Sequence, residues 1–142
     1  MEITFLGTGN AQVTECYNTC FVLHDNGKYL LVDGGGGNTL LAQLKHAGLS
    51  WKDMREIFVT HKHIDHLLGI VWMLRMLCQG MARGQYEGET TIYAHDEVIA
   101  LLRQAYPSVE PAGDILSGAT GGALRYFSLL RPYSEARIAS LF

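Results

Sequence analysis

Cysteine, proline and net charge are all scarce in this chain. Cys16, Cys20 and Cys78 are odd in number and form no Cys-x-x-Cys pair. That argues against a disulfide framework and fits reduced thiols acting as small apolar side chains. A formal net charge of −3 gives no field that would gather nucleic acid or an anionic membrane. The longest apolar stretch, around "LLGIVWMLRMLC", is interrupted by Arg75 and is too short to span a bilayer. "MEITFLGTGN" holds neither a basic segment leading into an apolar one nor a transit peptide, so the expected location is the cytoplasm. The three prolines, Pro107, Pro111 and Pro132, all fall after Tyr106, and no internal repeat is present.

What is there reads as one α/β domain, since 142 residues suffice to bury a core without covalent staples. "ITFLG", "NTCFVLH" and "KYLLVD" read as strands. "DNG" between the last two marks a hairpin, because Asn and Gly tolerate the positive φ of a type I′ turn. "NTLLAQLKHAG" has helical spacing, with Asn38 as the expected N-cap and Gly48 as the stop. "EIFVT" predicts a strand buried on both faces, and "HLLGIVWMLRMLCQG", capped by Asp65, predicts a helix packed on most sides. "TTIYAH" and "DEVIALLRQAY" predict a further strand and helix. Strands alternating with helices give residues 1–106 as an αβ unit. Residues 107–142 form a tail of weak periodicity, with one short helix expected near "SEARIASL".

Half of the six histidines lie in "VTHKHIDHLLGI". His61 and His63 are two apart at a strand end, so an extended backbone sends both rings to one side, where they can grip one ion. Asp65 and His66 follow where the chain turns into a helix and aim at a neighbouring point. Four ligand-type side chains in six residues suit zinc first, one ion or two, with manganese or iron accepted by the same nitrogen and oxygen donors. The alternative is an ordinary polar loop. His24, His46 and His95 read as solvated surface residues.

"THKHIDH" resembles the HxHxDH motif of the metallo-β-lactamase superfamily, and "FLGTGNA", Asn18 and "LLVDGGGG" follow the same order upstream. The likeness is greatest to the branch of ribonuclease Z and related phosphodiesterases, and covers the first hundred or so residues. It implies half of an αβ/βα sandwich, a mixed sheet with helices on one face. It assigns His61 and His63 to a first metal ion and Asp65 and His66 to a second. Asp65 is the catalytic residue that also orients the nucleophile, and Asp33 stands behind the ligands to orient a histidine. The implied activity is phosphodiester hydrolysis by a hydroxide bridging two ions. Glycines 34 to 37 would allow close backbone approach near the metal edge, although a plain loop also explains them.

The resemblance is incomplete. No histidine follows His95, and Glu110, Asp114 and Glu135 match no bridging position. "AQVTECY" before Asn18 carries Glu15 and no positive charge, which disfavours RNA and favours a small-molecule or short phosphodiester substrate. Three accounts follow: a truncated domain, a half-site completed by a C2 homodimer across a bare sheet face, or a metal-binding interaction module without turnover.

Overall fold

The computed structural model describes residues 1–105 and 130–132. Six strands form one mixed sheet in sequence order: β1 (Glu2–Gly7), β2 (Cys20–Asp25), β3 (Lys28–Val32), β4 (Glu56–Val59), β5 (Thr91–Ala94) and β6 (Leu130–Pro132). The first three pair antiparallel and the remainder join parallel. The β2–β3 hairpin turns as expected, with Asn26 at φ 48° and Gly27 at φ 78°.

Helices α1 (Thr39–His46), α2 (Ile64–Ala82) and α3 (Asp96–Ala105) occupy the parallel crossovers. Their apolar positions recur every three or four residues. Leu40 and Leu44, then Leu67, Ile70, Leu74 and Leu77, then Val98, Ile99 and Leu102 meet Val22, Leu31, Ile57 and Ile92 of the sheet in one core. Each such side chain contributes about 1.5–3 kcal/mol when fully buried, so this face fixes the register of the sheet. The opposite face carries a cross-strand row of Phe5, Phe21, Val32, Phe58 and Tyr93. It is buried at Val32 and Tyr93 but open at β1, where Ile3 and Phe5 remain 53% and 63% exposed.

Three local expectations need correction. Asn38 occupies the N-cap position of α1 but already has helical φ and ψ, −66° and −15°, and makes no side-chain cap. The helix is instead entered through a tight turn in which Leu40 N–H donates to Gly37 O and Leu41 N–H to Asn38 O. Asp65 does not cap α2. His63 takes that place in extended conformation, and Asp65 lies inside the first turn. The α2 helix is packed on most sides, as expected, and leaves one exposed stripe through Ile64, Leu68 and Trp72. In β4, Ile57 and Val59 are buried while Glu56 and Phe58 are only half-buried. The stop of α1 stands: Gly48 N–H donates to Lys45 O and Leu49 N–H to Leu44 O, a Schellman closure. The helix expected near "SEARIASL" lies outside the described residues.

The closest approach of layers is between Gly34, just after β3, and Gly69 of α2. A Cβ on Gly69 would overlap the Gly34 carbonyl, and one on Gly34 would stand 2.5 Å from Ile70 N. The backbones are joined there by Gly34 N–H to His66 O (2.8 Å) and Gly69 N–H to Gly35 O (2.9 Å). Gly69→Ala is expected to cost about 1–3 kcal/mol or more in urea unfolding, with Gly37→Ala, whose Cβ meets nothing within 4 Å, near neutral.

Candidate metal centre

The parallel strands β3, β4 and β5 all end at one edge of the sheet, and α2 and α3 begin there, so their positive dipole ends face the same space. Asp33 follows β3 with φ 58° and is 4% exposed. Its Oδ1 accepts from Thr60 N–H (2.8 Å) and its Oδ2 from the Thr60 hydroxyl (2.8 Å). The same Oδ2 lies 2.7 Å from His66 Nδ1. One carboxylate thereby ties the end of β3 to the end of β4 and to the first turn of α2.

These bonds set the histidine tautomers. His66 Nδ1 donates to Asp33, which leaves the Nε2 lone pair free, and Asp65 Oδ2 lies 3.3 Å from that nitrogen. The Thr60 hydroxyl spends its proton on Asp33 and therefore accepts from His61 Nδ1 at 2.8 Å. His61 Nε2 is then also free, and it lies 3.0 Å from His63 Nδ1. The rings of His61 and His66 are 4.2 Å apart between centroids. The four side chains singled out in the sequence, His61, His63, Asp65 and His66, are brought together as two adjacent donor pairs.

Two ligands of a tetrahedral zinc ion stand about 3.3 Å apart, close to the separation within each pair. The donor chemistry thus fits borderline divalent ions, two donors to each. Among the described residues, no group of three or more histidine, cysteine, aspartate or glutamate side chains is arranged to hold an ion.

Sequence reasoning missed two residues. Thr60 precedes the motif without belonging to it, yet it relays Asp33 to His61. Tyr17 supports the glycine loop: its Oη lies 2.8 Å from the Gly34 and Gly37 carbonyls and accepts from Gly37 N–H at 3.2 Å. Nothing in the local sequence marks either role, because both depend on contacts between separate segments. Asn18 donates to Asn10 O (2.8 Å) and braces the loop after β1. His24 stacks on Tyr29, and His46 is exposed in the last turn of α1. His95 is exposed as expected, but it also lines a cavity of about 350 Å³ with Thr60, His61, Lys62, His63, Glu97 and Val98. Across that cavity Lys62 pairs with Glu97 at 2.7 Å and holds the Glu97 carboxyl below its ordinary value.

Burial pushes the Tyr17 hydroxyl up to about 12. Burial, reinforced by the Asp33 charge, pushes the Cys20 thiol up to about 12 as well. Cys20 is therefore an inert apolar side chain at neutral pH, as the cysteine pattern suggested.

A family model described as Anti-Pycsar protein Apyc1 matches residues 1–106. The ribonuclease Z of Nitrosopumilus maritimus is 39% identical over 80 residues, covering 54% of this chain and 25% of the relative. That of Salinibacter ruber is 37% identical over 113 residues, 79% of this chain and 33% of the relative. Among solved structures, the human short-form tRNase Z superposes with a TM-score of 0.62 at 27% identity, over 76% of this chain and 39% of that one. The chain spans about a quarter to a third of the length of these curated relatives.

Two outcomes follow from this geometry. Thr60→Val is expected to weaken zinc binding about tenfold or more in a chelator competition, and Thr60→Ser to preserve it, because only the hydroxyl orients His61. The unfolded chain titrates Cys20 and Tyr17 from 9.0 and 10.0, and the folded chain only near 12. Their raised values contribute stability that is complete below pH 9 and is lost as pH rises toward 12. Urea midpoints measured across that window should fall, with Cys20→Ala showing the smaller fall.

Proposed function

The chain belongs to the Anti-Pycsar protein Apyc1 family, in the ribonuclease Z and phosphodiesterase branch of the metallo-β-lactamase superfamily, and from that premise we propose that it is a metal-dependent hydrolase acting on small phosphodiesters. The observation that carries this reading is the reach of Asp33, which fixes one histidine of each donor pair, His66 directly and His61 through Thr60. Such orientation has little purpose in a polar loop and is what metal-binding imidazoles require.

His61 and His63 would hold one zinc ion, and Asp65 and His66 a second, with manganese or iron suited to the same donors. When bound, the ions act as Lewis acids that lower the pKa of water and neutralise charge developing on phosphorus. The chain's own residues do the rest. Asp33 keeps the proton on His66 Nδ1, Thr60 keeps that of His61 on Nδ1, and the Asp65 carboxylate accepts a hydrogen bond that aims the nucleophile. The positive end of α2, which carries no side-chain cap, favours an anionic substrate. The missing cationic residues in "AQVTECY" favour a compact diester over RNA.

A second reading, a C2 pairing of two copies that supplies the remaining donors, is favoured by the exposed Ile3 and Phe5 on the sheet face away from the helices. Size-exclusion chromatography with light scattering tests it: Phe5→Glu should convert a dimer-sized species to a monomer, and a wild-type monomer removes the reading.

Hydrolysis of bis(p-nitrophenyl) phosphate by zinc-loaded protein tests the first reading. His63→Ala and Asp65→Ala should each lower kcat/KM about a hundredfold or more with unchanged circular dichroism, and a chelator should abolish turnover. Activity that survives chelation or the Asp65 substitution would overturn it.

A further inference from the structure

His95 is the first residue after β5, as Thr60 is after β4, and the register Val59 to Ala94 sets the two side by side on neighbouring parallel strands. Adjacent strands lie about 4.8 Å apart. That spacing brings His95 to the rim of the cavity that His61 and His63 also line, although it belongs to neither donor pair.

The tautomer of His95 separates two roles it could play there. Glu97 N–H donates to His95 Nδ1 at 3.3 Å, so Nδ1 is the bare nitrogen and the neutral ring carries its proton on Nε2. A protonated Nε2 cannot ligate a metal ion, but it can donate to an oxygen. Among the described residues, nothing accepts from that Nε2–H. The other charged groups on the rim, Lys62 and Glu97, neutralise one another at 2.7 Å. Lys62 spends one of its three ammonium protons on Glu97, and the Nε2–H of His95 is a neutral donor on the same rim that can meet an anion beside the two histidines. A cavity of about 350 Å³, near the lower limit of small-molecule sites, takes a compact group.

We propose that His95 is a substrate-contact residue, whose Nε2–H donates to a non-bridging phosphoryl oxygen of the diester held beside His61 and His63. This rests on the hydrolase reading for its substrate. The contact is made to the ground state and the transition state alike, so it belongs in KM and leaves kcat alone.

The test compares wild-type protein with His95→Asn, which keeps a side-chain acceptor for the Glu97 N–H and so keeps the start of α3, but is too short to reach the phosphoryl group. With zinc present, KM for bis(p-nitrophenyl) phosphate and the dissociation constant of inorganic phosphate, read by calorimetry, should both rise about tenfold. Neither kcat nor the thermal midpoint should change appreciably. Unchanged KM and phosphate affinity would show His95 to be only a helix cap, and a fall in kcat alone would place it in the chemical step; either overturns the proposal. Phosphate binding that depends on His95 in a protein without turnover keeps the contact and overturns the hydrolase reading. Turnover indifferent to His95 does the reverse, and wild-type protein that neither binds phosphate nor turns over the diester overturns both.

Discussion

A single buried carboxylate connects the sheet to the histidine cluster. Asp33 receives two hydrogen bonds from Thr60 and one from His66, so the ends of β3 and β4 and the start of α2 share one anchor. A charge at 4% exposure is tolerable only when its acceptor sites are filled, which makes the arrangement all-or-none. If Thr60 or His66 leaves, the carboxylate is left under-bonded in the protein. The demand is mutual, because the two imidazoles take their tautomers from this network. Stability and the geometry of the histidine cluster are consequently carried by the same bonds.

The glycine loop makes that anchor accessible. Asp33 sits in left-handed conformation, and the chain behind it runs directly against the backbone of α2, where Gly34 and Gly69 meet without side chains between them. Two backbone hydrogen bonds replace side-chain packing at this point. The close approach draws the first turn of α2 toward Asp33, which sets His66 within bonding distance. Tyr17 closes the loop from the other side. Of the two explanations the sequence left open for "DGGGG", close backbone approach applies at Gly34, whereas a Cβ on Gly37 would meet nothing within 4 Å.

Apolar surface is distributed unevenly for the same reason. The helices follow the parallel strands and all lie on one face, which is densely filled, while Ile3 and Phe5 on the other face and Ile64, Leu68 and Trp72 along α2 remain exposed. The near-uniform apolarity of the α2 sequence implied packing on most sides, and all but one stripe of the helix is buried or half-buried, but hydrophobicity states only that burial is favourable. Whether a partner surface is present is decided by the rest of the structure.

The sequence by itself determined the elements and the donors. Strand and helix periods, the Asn26–Gly27 turn, the stop at Gly48 and the grouping of His61, His63, Asp65 and His66 are short-range features, written in residue types within a few positions of one another. Only the tertiary structure decided which nitrogen each histidine presents, that Thr60 and Tyr17 take part, and that His95 shares a cavity with the motif some thirty residues before it. Those facts depend on the alignment of β4 with β5 and on the distance between β3 and α2. That alignment is set by the packing of the whole core, so no local stretch of sequence carries it.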